Sequence, residues 1–364
     1  MSSTQNQGTP SSINEEDDDA CLYAMLLSSS HVFPMVLHAA IELNLFEIIA
    51  KASPDAYMSP SEIASQLPTQ NPDAPYMLDR MLRLLASYSL LTCSMHNYED
   101  GSVERLYRVS QAGKLYVQNE DGGFVGSISL FAFQRATLEV WLHFKDAILG
   151  GGNLFEKVHG MSIFQYMKAD QTLNNSFNKA MSDTSRIHMK KILEKYEGFE
   201  GVSLLVDVGG GTGACLDMII SKYPSIKGIN FDLPQVIQHA PSYPGIEHVG
   251  GDMYVSVPKG DAIMIKTTCH NWNDDQCIKL LKNCNKALAQ NGKVIIMDLI
   301  MPEVPDASNG AKFVSVLDSA MVIPPGGKER TEKEFEALCK ASGFSGFQVI
   351  CRACTVWGVM ELYK

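Results

Sequence analysis

The segment VDVGGGTG, residues 206–213, follows a short apolar run and opens a helical pattern. Its glycines let the backbone turn tightly and approach a ligand at the carboxyl end of a strand. A dinucleotide loop reads G-x-G-x-x-G, whereas here an acid precedes the loop and the third glycine comes one residue early. Asp232 ends the next apolar run, about 20 residues beyond the loop, where a ribose-binding acid is expected. The pattern predicts a nucleoside-type cofactor and favours S-adenosylmethionine.

Short apolar runs alternate with helical patterns from residue 203 onward. This alternation predicts an α/β fold with a mostly parallel, Rossmann-like sheet covered by helices on both faces. The last two runs, FQVIC and TVWGVMEL, lie close together, and we expect them to form an antiparallel pair at the sheet edge. Residues 119–200 have a helical pattern with glycine-rich breaks, which indicates a connecting layer.

Residues 20–118 have a different pattern, in which amphipathic helices precede two short β-like runs. Helices followed by a two-stranded wing resemble a winged helix, which invites a DNA-binding interpretation. However, residues 1–120 carry 15 Asp or Glu and 6 Lys or Arg, and a DNA-reading domain has the opposite charge balance. We therefore expect no nucleic-acid partner and interpret these helices as a dimer interface.

The chain of 364 residues has a formal net charge of -11 and nine scattered cysteines. Residues 1–19 are polar and acidic, so we expect a disordered tail and not a signal peptide. Since no apolar stretch approaches the ~20 residues that cross a bilayer, we expect a cytoplasmic protein without a membrane partner. The odd cysteine count predicts reduced thiols. Cys269, His270 and Cys277 fit no standard metal spacing, so we expect no metal there.

Several long segments resemble the plant caffeic acid O-methyltransferase family. The resemblance implies an N-terminal helical, winged-helix-like dimerisation domain at residues 20–118 and a Rossmann-like, S-adenosylmethionine-dependent methyltransferase domain at residues 119–364. It also implies a homodimer, S-adenosylmethionine as methyl donor, no metal, and small aromatic phenols as substrates. The segments that carry it are DAPYMLDRMLRLLASYSLLTCS, VDVGGGTG, FDLPQVIQHAPSYPGIEHVGGDM, CHNWND and PPGGKERTEKEFEAL.

The family's cofactor positions fall on Gly209, Asp232, Asp252, Met253 and Lys266. The resemblance implies that Asp232 holds the ribose hydroxyls and that Asp252 and Met253 hold the adenine. Lys266 would lie beside the cofactor at the end of its strand. Each of these residues could instead be an ordinary residue of a strand-end turn.

The family's general base falls on His270, in CHNWND at 269–274. Methyl transfer from a sulfonium requires the acceptor oxygen to lie near the methyl carbon and to lose its proton. A free phenol has a pKa near ~10 and histidine one near ~6.5, so imidazole suits the role of proton acceptor. The two acids that orient this histidine fall on Asp298 and Glu329. A lone histidine could instead be structural.

Three residues around the base depart from the family pattern. Asp298 stands where glutamate is usual, so its reach towards His270 is one methylene shorter. Asn271 replaces the usual aspartate, and we expect the loss of that charge to lower the pKa of the base somewhat. Thr267 replaces a usual tryptophan. These changes suggest altered chemistry at the site.

The family's substrate wall falls on apolar and sulfur-containing residues that suit a flat ring. Ala132 and Met167 replace polar residues, and the segment ending at Ile323-Pro324 is one residue shorter than usual. Apolar residues at helical spacing could equally form core. We expect an aromatic acceptor other than free caffeic acid, bound by Phe131, Ala132, Ile163, Met167, Leu173, Phe177, Met181 and Met321.

The leading hypothesis is an S-adenosylmethionine-dependent O-methyltransferase that methylates a phenolic hydroxyl of a plant secondary metabolite, such as a phenylpropanoid, coumarin, flavonoid or alkaloid. One alternative is N-methylation of an aromatic amine, because a neutral amine already has a lone pair and needs less help from a base. Another is a weakly active subunit that dimerises with an active relative and shapes its pocket.

Overall fold

The protein divides into two compact units, Met1–Gln118 and Asn119–Lys364. The computed structural model describes residues 12–52, 56–118, 123–324 and 326–364. In the described residues no single helix is long and apolar enough to cross a membrane, although the bent pair Glu16–Ser28 and Val32–Glu42 meets the length and composition criteria together. All nine cysteines are free thiols.

The first unit consists of helices and one antiparallel hairpin. Its helices pack around Leu45, Phe46 and Tyr107, which are at most 1% exposed. Ser59 begins a helix with a capping box, in which its hydroxyl accepts from the Glu62 amide and the Glu62 carboxylate accepts from the Ser59 amide. The elements are α1 Ser12–Ser28, α2 Val32–Glu42, α3 Leu45–Lys51, α4 Pro60–Ala64, α5 Ala74–Ser87, β1 Leu91–Asn97, β2 Val103–Val109 and a 3-10 helix Gly113–Tyr116.

The expectation of a disordered segment at residues 1–19 is wrong from Ser12 onward, because α1 is helical there. The acidic residues 16–19 lie within this helix and are exposed. Residues 1–11 lie outside the described part of the chain.

The second unit begins with a helical layer. The expected connecting layer therefore consists of several short helices and one long one. Its elements are α6 Gly126–Ala132, α7 Arg135–Leu138, a 3-10 helix Glu139–His143, α8 Phe144–Gly150, α9 Leu154–His159, α10 Ile163–Ala169 and α11 Gln171–Leu193.

A doubly covered sheet follows this layer and confirms the predicted α/β, Rossmann-like fold. Strand order is β5-β4-β3-β6-β7-β10-β9, with β3 to β7 parallel and β10 antiparallel to both neighbours. The elements are β3 Leu204–Val208, α12 Ala214–Lys222, β4 Lys227–Asp232, α13 Pro234–Ile237, β5 Ile246–Gly250, β6 Gly260–Lys266, a 3-10 turn Cys269–Asn271, α14 Asp274–Ala287, β7 Leu288–Met301, α15 Asn309–Ala320, β8 Arg330–Thr331, α16 Glu332–Ala341, β9 Gly346–Ala353 and β10 Trp357–Tyr363.

The sheet's centre is almost completely buried on both faces. Ile263, Met264 and Ile265 of β6 are 0% exposed, as expected for a parallel strand covered by helices on each side. The expected antiparallel pair of final strands is confirmed, with Trp357 opposite Ala353. Since β3, β4, β6 and β7 run in the same direction, their carboxyl ends lie along one edge, where ligands bind in such sheets.

Candidate active site

The glycine loop lies between β3 and α12 and requires glycine at several positions. Gly209, Gly211 and Gly213 have φ values of 74°, 59° and 87°, which L side chains rarely adopt. At Gly210 a Cβ atom would lie only 2.1 Å from Oδ1 of Asn230. The loop therefore leaves open backbone at the carboxyl edge of the sheet.

Asp232, at the end of β4, lies beside this loop. Its Oδ2 accepts a 2.9 Å hydrogen bond from the amide of Gly211, and its Oδ1 accepts one of 2.7 Å from Leu233. Burial raises the pKa of Asp232, and these two backbone bonds oppose the shift. The structure thus brings together the glycine loop and the acid that the sequence paired with it.

Two further side chains, those of Asn230 and Asp207, lie next to the glycine loop. Asn230 donates through Nδ2 to the Gly211 carbonyl at 2.9 Å and to Nδ1 of His248 at 3.1 Å. Asp207 is 1% exposed, and burial, opposed by the charge of Lys266, raises its pKa to about 7. Among the described residues, Asp207 Oδ2 and Asn230 Oδ1 have no hydrogen-bond partner. The acid before the loop was visible in the sequence, whereas Asn230 gave no signal.

The other predicted cofactor residues lie at neighbouring strand ends. Asp252 is exposed after β5, and its Oδ1 accepts from the amide of Tyr254 at 2.8 Å. Met253 packs partly buried against the main core. Lys266 ends β6, is 7% exposed, and donates to the Ser185 hydroxyl of α11 at 2.9 Å. Ser185 was missed in the sequence because it lies 81 residues from Lys266.

His270 lies in the 3-10 turn directly after β6, with its side chain 17% exposed. Its Nδ1 is 2.9 Å from Oε1 of Glu329 and 3.8 Å from Oδ1 of Asp298. Burial opposes a positive charge on the imidazole, but the Asp298 charge and the Glu329 hydrogen bond and charge outweigh it, so the pKa of His270 is raised. The three predicted catalytic residues therefore form one cluster.

Comparisons with known proteins match both units. Residues 141–345 match the O-methyltransferase domain model, and residues 25–119 match the O-methyltransferase dimerisation domain model. Three relatives are each a caffeic acid 3-O-methyltransferase: from Populus tremuloides, 58% identical over 97% of both chains; from Medicago sativa, 56% over 100% of both; and from Catharanthus roseus, 55% over 99% of both.

The chain belongs to the caffeic acid O-methyltransferase family. It is an S-adenosylmethionine-dependent O-methyltransferase, as the sequence predicted. Its N-terminal unit carries the family's dimerisation domain, and the protein is a homodimer.

Solved structures agree on the fold of this caffeic acid O-methyltransferase family member. Human N-acetylserotonin methyltransferase in complex with S-adenosylmethionine has a TM-score of 0.77 at 20% identity, covering 100% of this chain and 99% of that chain. A methyltransferase of calicheamicin biosynthesis with S-adenosylhomocysteine bound has a TM-score of 0.79 at 21% identity, covering 95% and 98%.

S-adenosylmethionine is the cofactor of this family member, and the residues present fit it. A Cβ at Gly209 would lie 2.8 Å from the Thr268 hydroxyl. Only glycine therefore lets the loop backbone lie this close to the segment after β6. Asp232 offers a carboxylate at the end of β4, as a ribose requires. The carboxylates of Asp232 and Asp252 and the open backbone of the glycine loop suit the hydroxyls and amino group of a nucleoside.

The two acids of this family member's site are both buried. Burial raises the pKa of Asp298 and of Glu329, and the charge of His270 opposes the shift in each. Asp298 Oδ2 and Glu329 Oε2 have no hydrogen-bond partner among the described residues. Ligand atoms of the three residues lie within 4.8 Å of one another, a grouping that could also hold a metal ion. The 2.9 Å contact with Glu329 engages Nδ1 of His270 and does not involve its Nε2.

Two of the unusual residues contact each other and not the base. Asn271 donates through Nδ2 to the carbonyl of Thr267 at 3.4 Å. Thr267 has φ of 47°, a left-handed conformation that few residues other than glycine adopt. In the family member described here, the charges that raise the pKa of His270 come from Asp298 and Glu329. Asp298 lies farther from Nδ1 of His270, at 3.8 Å, than Glu329 does, at 2.9 Å.

The predicted substrate residues fall into two groups. Ile163 and Met167 are each 6% exposed and belong to an apolar cluster against which the Phe131 and Phe177 rings, 5.4 Å apart, pack. Met181 is 41% exposed and lies outside this cluster. Leu173 is 2% exposed and belongs to the same cluster. Ala132 ends α6, and Met321 directly follows α15.

Proposed function

We propose that this protein methylates a phenolic hydroxyl of a plant aromatic metabolite, most simply a phenylpropanoid, with His270 as the general base. The observation that carries the proposal is the contact of His270 Nδ1 with Glu329 Oε1 at 2.9 Å, with Asp298 at 3.8 Å. An imidazole held by one nitrogen between two buried acids presents its other nitrogen for proton transfer.

The positions of the protons give each residue of the His270, Asp298 and Glu329 cluster a role in the proposed reaction. In the proposed tautomer, Nδ1 of His270 donates a hydrogen bond to the Glu329 carboxylate, which leaves a lone pair on Nε2. The phenol oxygen forms a bond to the methyl carbon, the sulfur–carbon bond breaks, and the phenol proton moves to Nε2. S-adenosylmethionine supplies the activated methyl group. The resulting imidazolium is stabilised by the charges of Asp298 and Glu329.

We further propose that the cofactor residues act as the family resemblance implies. Asp232 receives the ribose hydroxyls beside the Gly209 loop, with support from its bond to the Gly211 amide. Asp252 and Met253 contact the adenine. Lys266 lies beside the cofactor, and its bond to Ser185 fixes the direction of its ammonium group.

The proposed acceptor site lies on the apolar side of the base. Phe131, Ile163, Met167 and Phe177 form or pack against one cluster, which suits the face of an aromatic ring. The backbone of Met321 lies near that of His270, since a Cβ at Gly327 would be 2.9 Å from the carbonyl oxygen of each residue. Met181 would line the exposed entrance. We propose an acceptor other than free caffeic acid, because Met167 is apolar where the family has a polar residue.

The relatives' names favour O-methylation over the two alternatives, since each relative is a caffeic acid 3-O-methyltransferase. An N-methyltransferase of an aromatic amine would make little use of the buried acid pair. A non-catalytic partner would have no need of the His270–Glu329 contact. We also propose a cytoplasmic location, which the nine free cysteines favour because thiols stay reduced in the cytosol.

The test is methyl transfer from labelled S-adenosylmethionine to a panel of phenols, coumarins, alkaloids and aromatic amines. We expect transfer to a phenol, and we expect His270→Ala to reduce its rate at least ~100-fold. His143→Ala is the matched control, because His143 is exposed and bonds only to Asp146 at 3.2 Å among the described partners. Transfer to an amine that survives His270→Ala, or cofactor binding without any transfer, would refute the proposal.

A further inference from the structure

Arg330 is the largest fully buried side chain of the described residues, with 0% exposure. It lies in β8, which pairs with the end of β7 through Ile300. An arginine removed from water loses the hydration of its charge and is retained only where hydrogen bonds replace that hydration. Its contacts therefore indicate what the charge does in this fold.

The Arg330 guanidinium binds both sides of the turn that carries His270. Nη1 donates to the Cys269 carbonyl at 2.8 Å, and Nη2 donates to the Trp272 carbonyl at 2.7 Å. Nε and Nη2 also donate to Oδ1 of Asp274 at 3.0 and 2.8 Å. One planar group thus connects the residue before His270 to the end of the turn.

The two residues before Arg330 bind the same turn. The Lys328 amide donates to the His270 carbonyl at 2.9 Å, and the Glu329 carboxylate contacts the His270 ring. Gly327 permits this approach, because a Cβ there would lie 2.9 Å from the His270 carbonyl oxygen. Consecutive residues therefore hold the backbone on either side of His270 and its imidazole.

We propose that Arg330 is a positioning residue for the base, fixing the 269–272 backbone so that the His270 ring keeps one nitrogen on Glu329 and presents the other to the acceptor. This inference rests on the proposed role of His270. A guanidinium has five donors in a rigid plane and can bind three acceptors at once. A lysine ammonium is a point charge on a flexible stem, so it cannot span both carbonyls in one geometry.

The acidity of the acceptor separates a positioning role from a merely structural one. A phenol with a pKa near ~10 needs the base at neutral pH, whereas a phenol with a pKa near ~7 is half ionised without it. Misalignment of His270 therefore slows methyl transfer to the phenol of higher pKa far more than transfer to the phenol of lower pKa. A general loss of folded protein slows both equally.

The experiment uses full-length homodimeric Arg330→Lys and a series of phenols of decreasing pKa. We expect kcat to fall at least ~10-fold for the least acidic phenol and less than ~3-fold for the most acidic, with cofactor affinity unchanged. Arg352→Lys is the matched control, because the Arg352 guanidinium binds Glu332 at 2.8 Å on the exposed surface. This control should change neither kcat nor the cofactor affinity. An equal loss for every phenol, no loss, or a parallel loss of cofactor affinity would overturn the inference.

His270→Ala, measured on the same series, separates this inference from the proposed function. If the His270→Ala defect does not depend on acceptor acidity, both the base and its positioning residue are refuted. If it does and Arg330→Lys does not, only the inference fails. Should Arg330→Lys not fold, Asp274→Asn takes its place, because it weakens the two hydrogen bonds from Arg330 to Asp274 and leaves both carbonyl contacts. We expect a smaller defect with the same dependence, and an even defect across the phenols would contradict the proposal.

Discussion

Glu329→Gln changes the charge beside the base while conserving the shape of the side chain. Its Oε1 lies 2.9 Å from His270 Nδ1, nearer than the 3.8 Å of Asp298. The amide oxygen of glutamine can still accept a hydrogen bond from Nδ1–H of His270, so the orientation of the imidazole is retained. What disappears is the negative charge that stabilises the imidazolium formed when the acceptor loses its proton.

The magnitude follows from the loss of one charged hydrogen bond. Such a bond contributes about 1.5 to 3 kcal/mol, which corresponds to a ~10- to ~100-fold fall in kcat. The Asp298 carboxylate remains and prevents a larger loss. The pKa of His270 is raised in the parent protein because the charges of both acids outweigh burial, so removing one charge lowers it. Since the neutral imidazole is the base, the acidic limb of the kcat/KM profile should move to lower pH in the variant.

The assay is kcat/KM for a phenol of pKa near ~10, measured between about pH 5.5 and about pH 9 with labelled cofactor. Glu332→Gln is the control, because Glu332 is a half-exposed acid that binds Arg352 and does not contact His270. The reasoning is refuted if the acidic limb stays in place or moves to higher pH, or if kcat remains within ~3-fold of the parent.

Two further predictions concern the loop and the second acid. Gly210→Ala would place a Cβ 2.1 Å from Asn230 Oδ1 and 2.7 Å from Asp207 Oδ2, so we expect calorimetry to show at least a ~10-fold loss of cofactor affinity. The control Gly150→Ala should leave that affinity unchanged. Equal cofactor affinity of Gly210→Ala and the parent protein would contradict the predicted clash. Asp298→Asn should raise Tm by about 2 to 4 °C near pH 8 while lowering kcat. Burial raises the pKa of this acid, so its ionised form destabilises the fold and stability is lost as pH rises through its raised pKa. The increase in Tm of Asp298→Asn should vanish at acidic pH. A Tm below that of the parent protein at pH 8 would contradict the prediction.

Local patterns accounted for much of the fold. The capping box at Ser59 and the glycine loop at Gly209 depend on neighbours within a few residues, so the sequence contains the whole signal. The alternation of strands and helices predicted the sheet for the same reason. The catalytic trio is different, since His270 and Glu329 are 59 residues apart and only the family resemblance connected them before the structure.

Residues that act across long separations left no readable signal. Arg330 reaches the Cys269 carbonyl over 61 residues, and its sequence neighbourhood is that of an ordinary charged turn. Asn230 supports the loop from 19 residues away. The expectation of disorder at residues 12–19 was wrong for another reason, because it rested on polar and acidic composition alone, whereas the segment belongs to helix α1.

The order of strands in the sheet also governs how the protein can be made. Strand β10 lies between β7 and β9, and its Gly358 faces Asp298 across the ladder. A ribosome releases β7 long before β10, so for several seconds the nascent chain has a strand with one unpaired edge beside a half-built active site. Such an edge invites pairing with other chains. Slow synthesis between β7 and β10 should therefore favour chaperone binding and aggregation of this family member more than slow synthesis before β7.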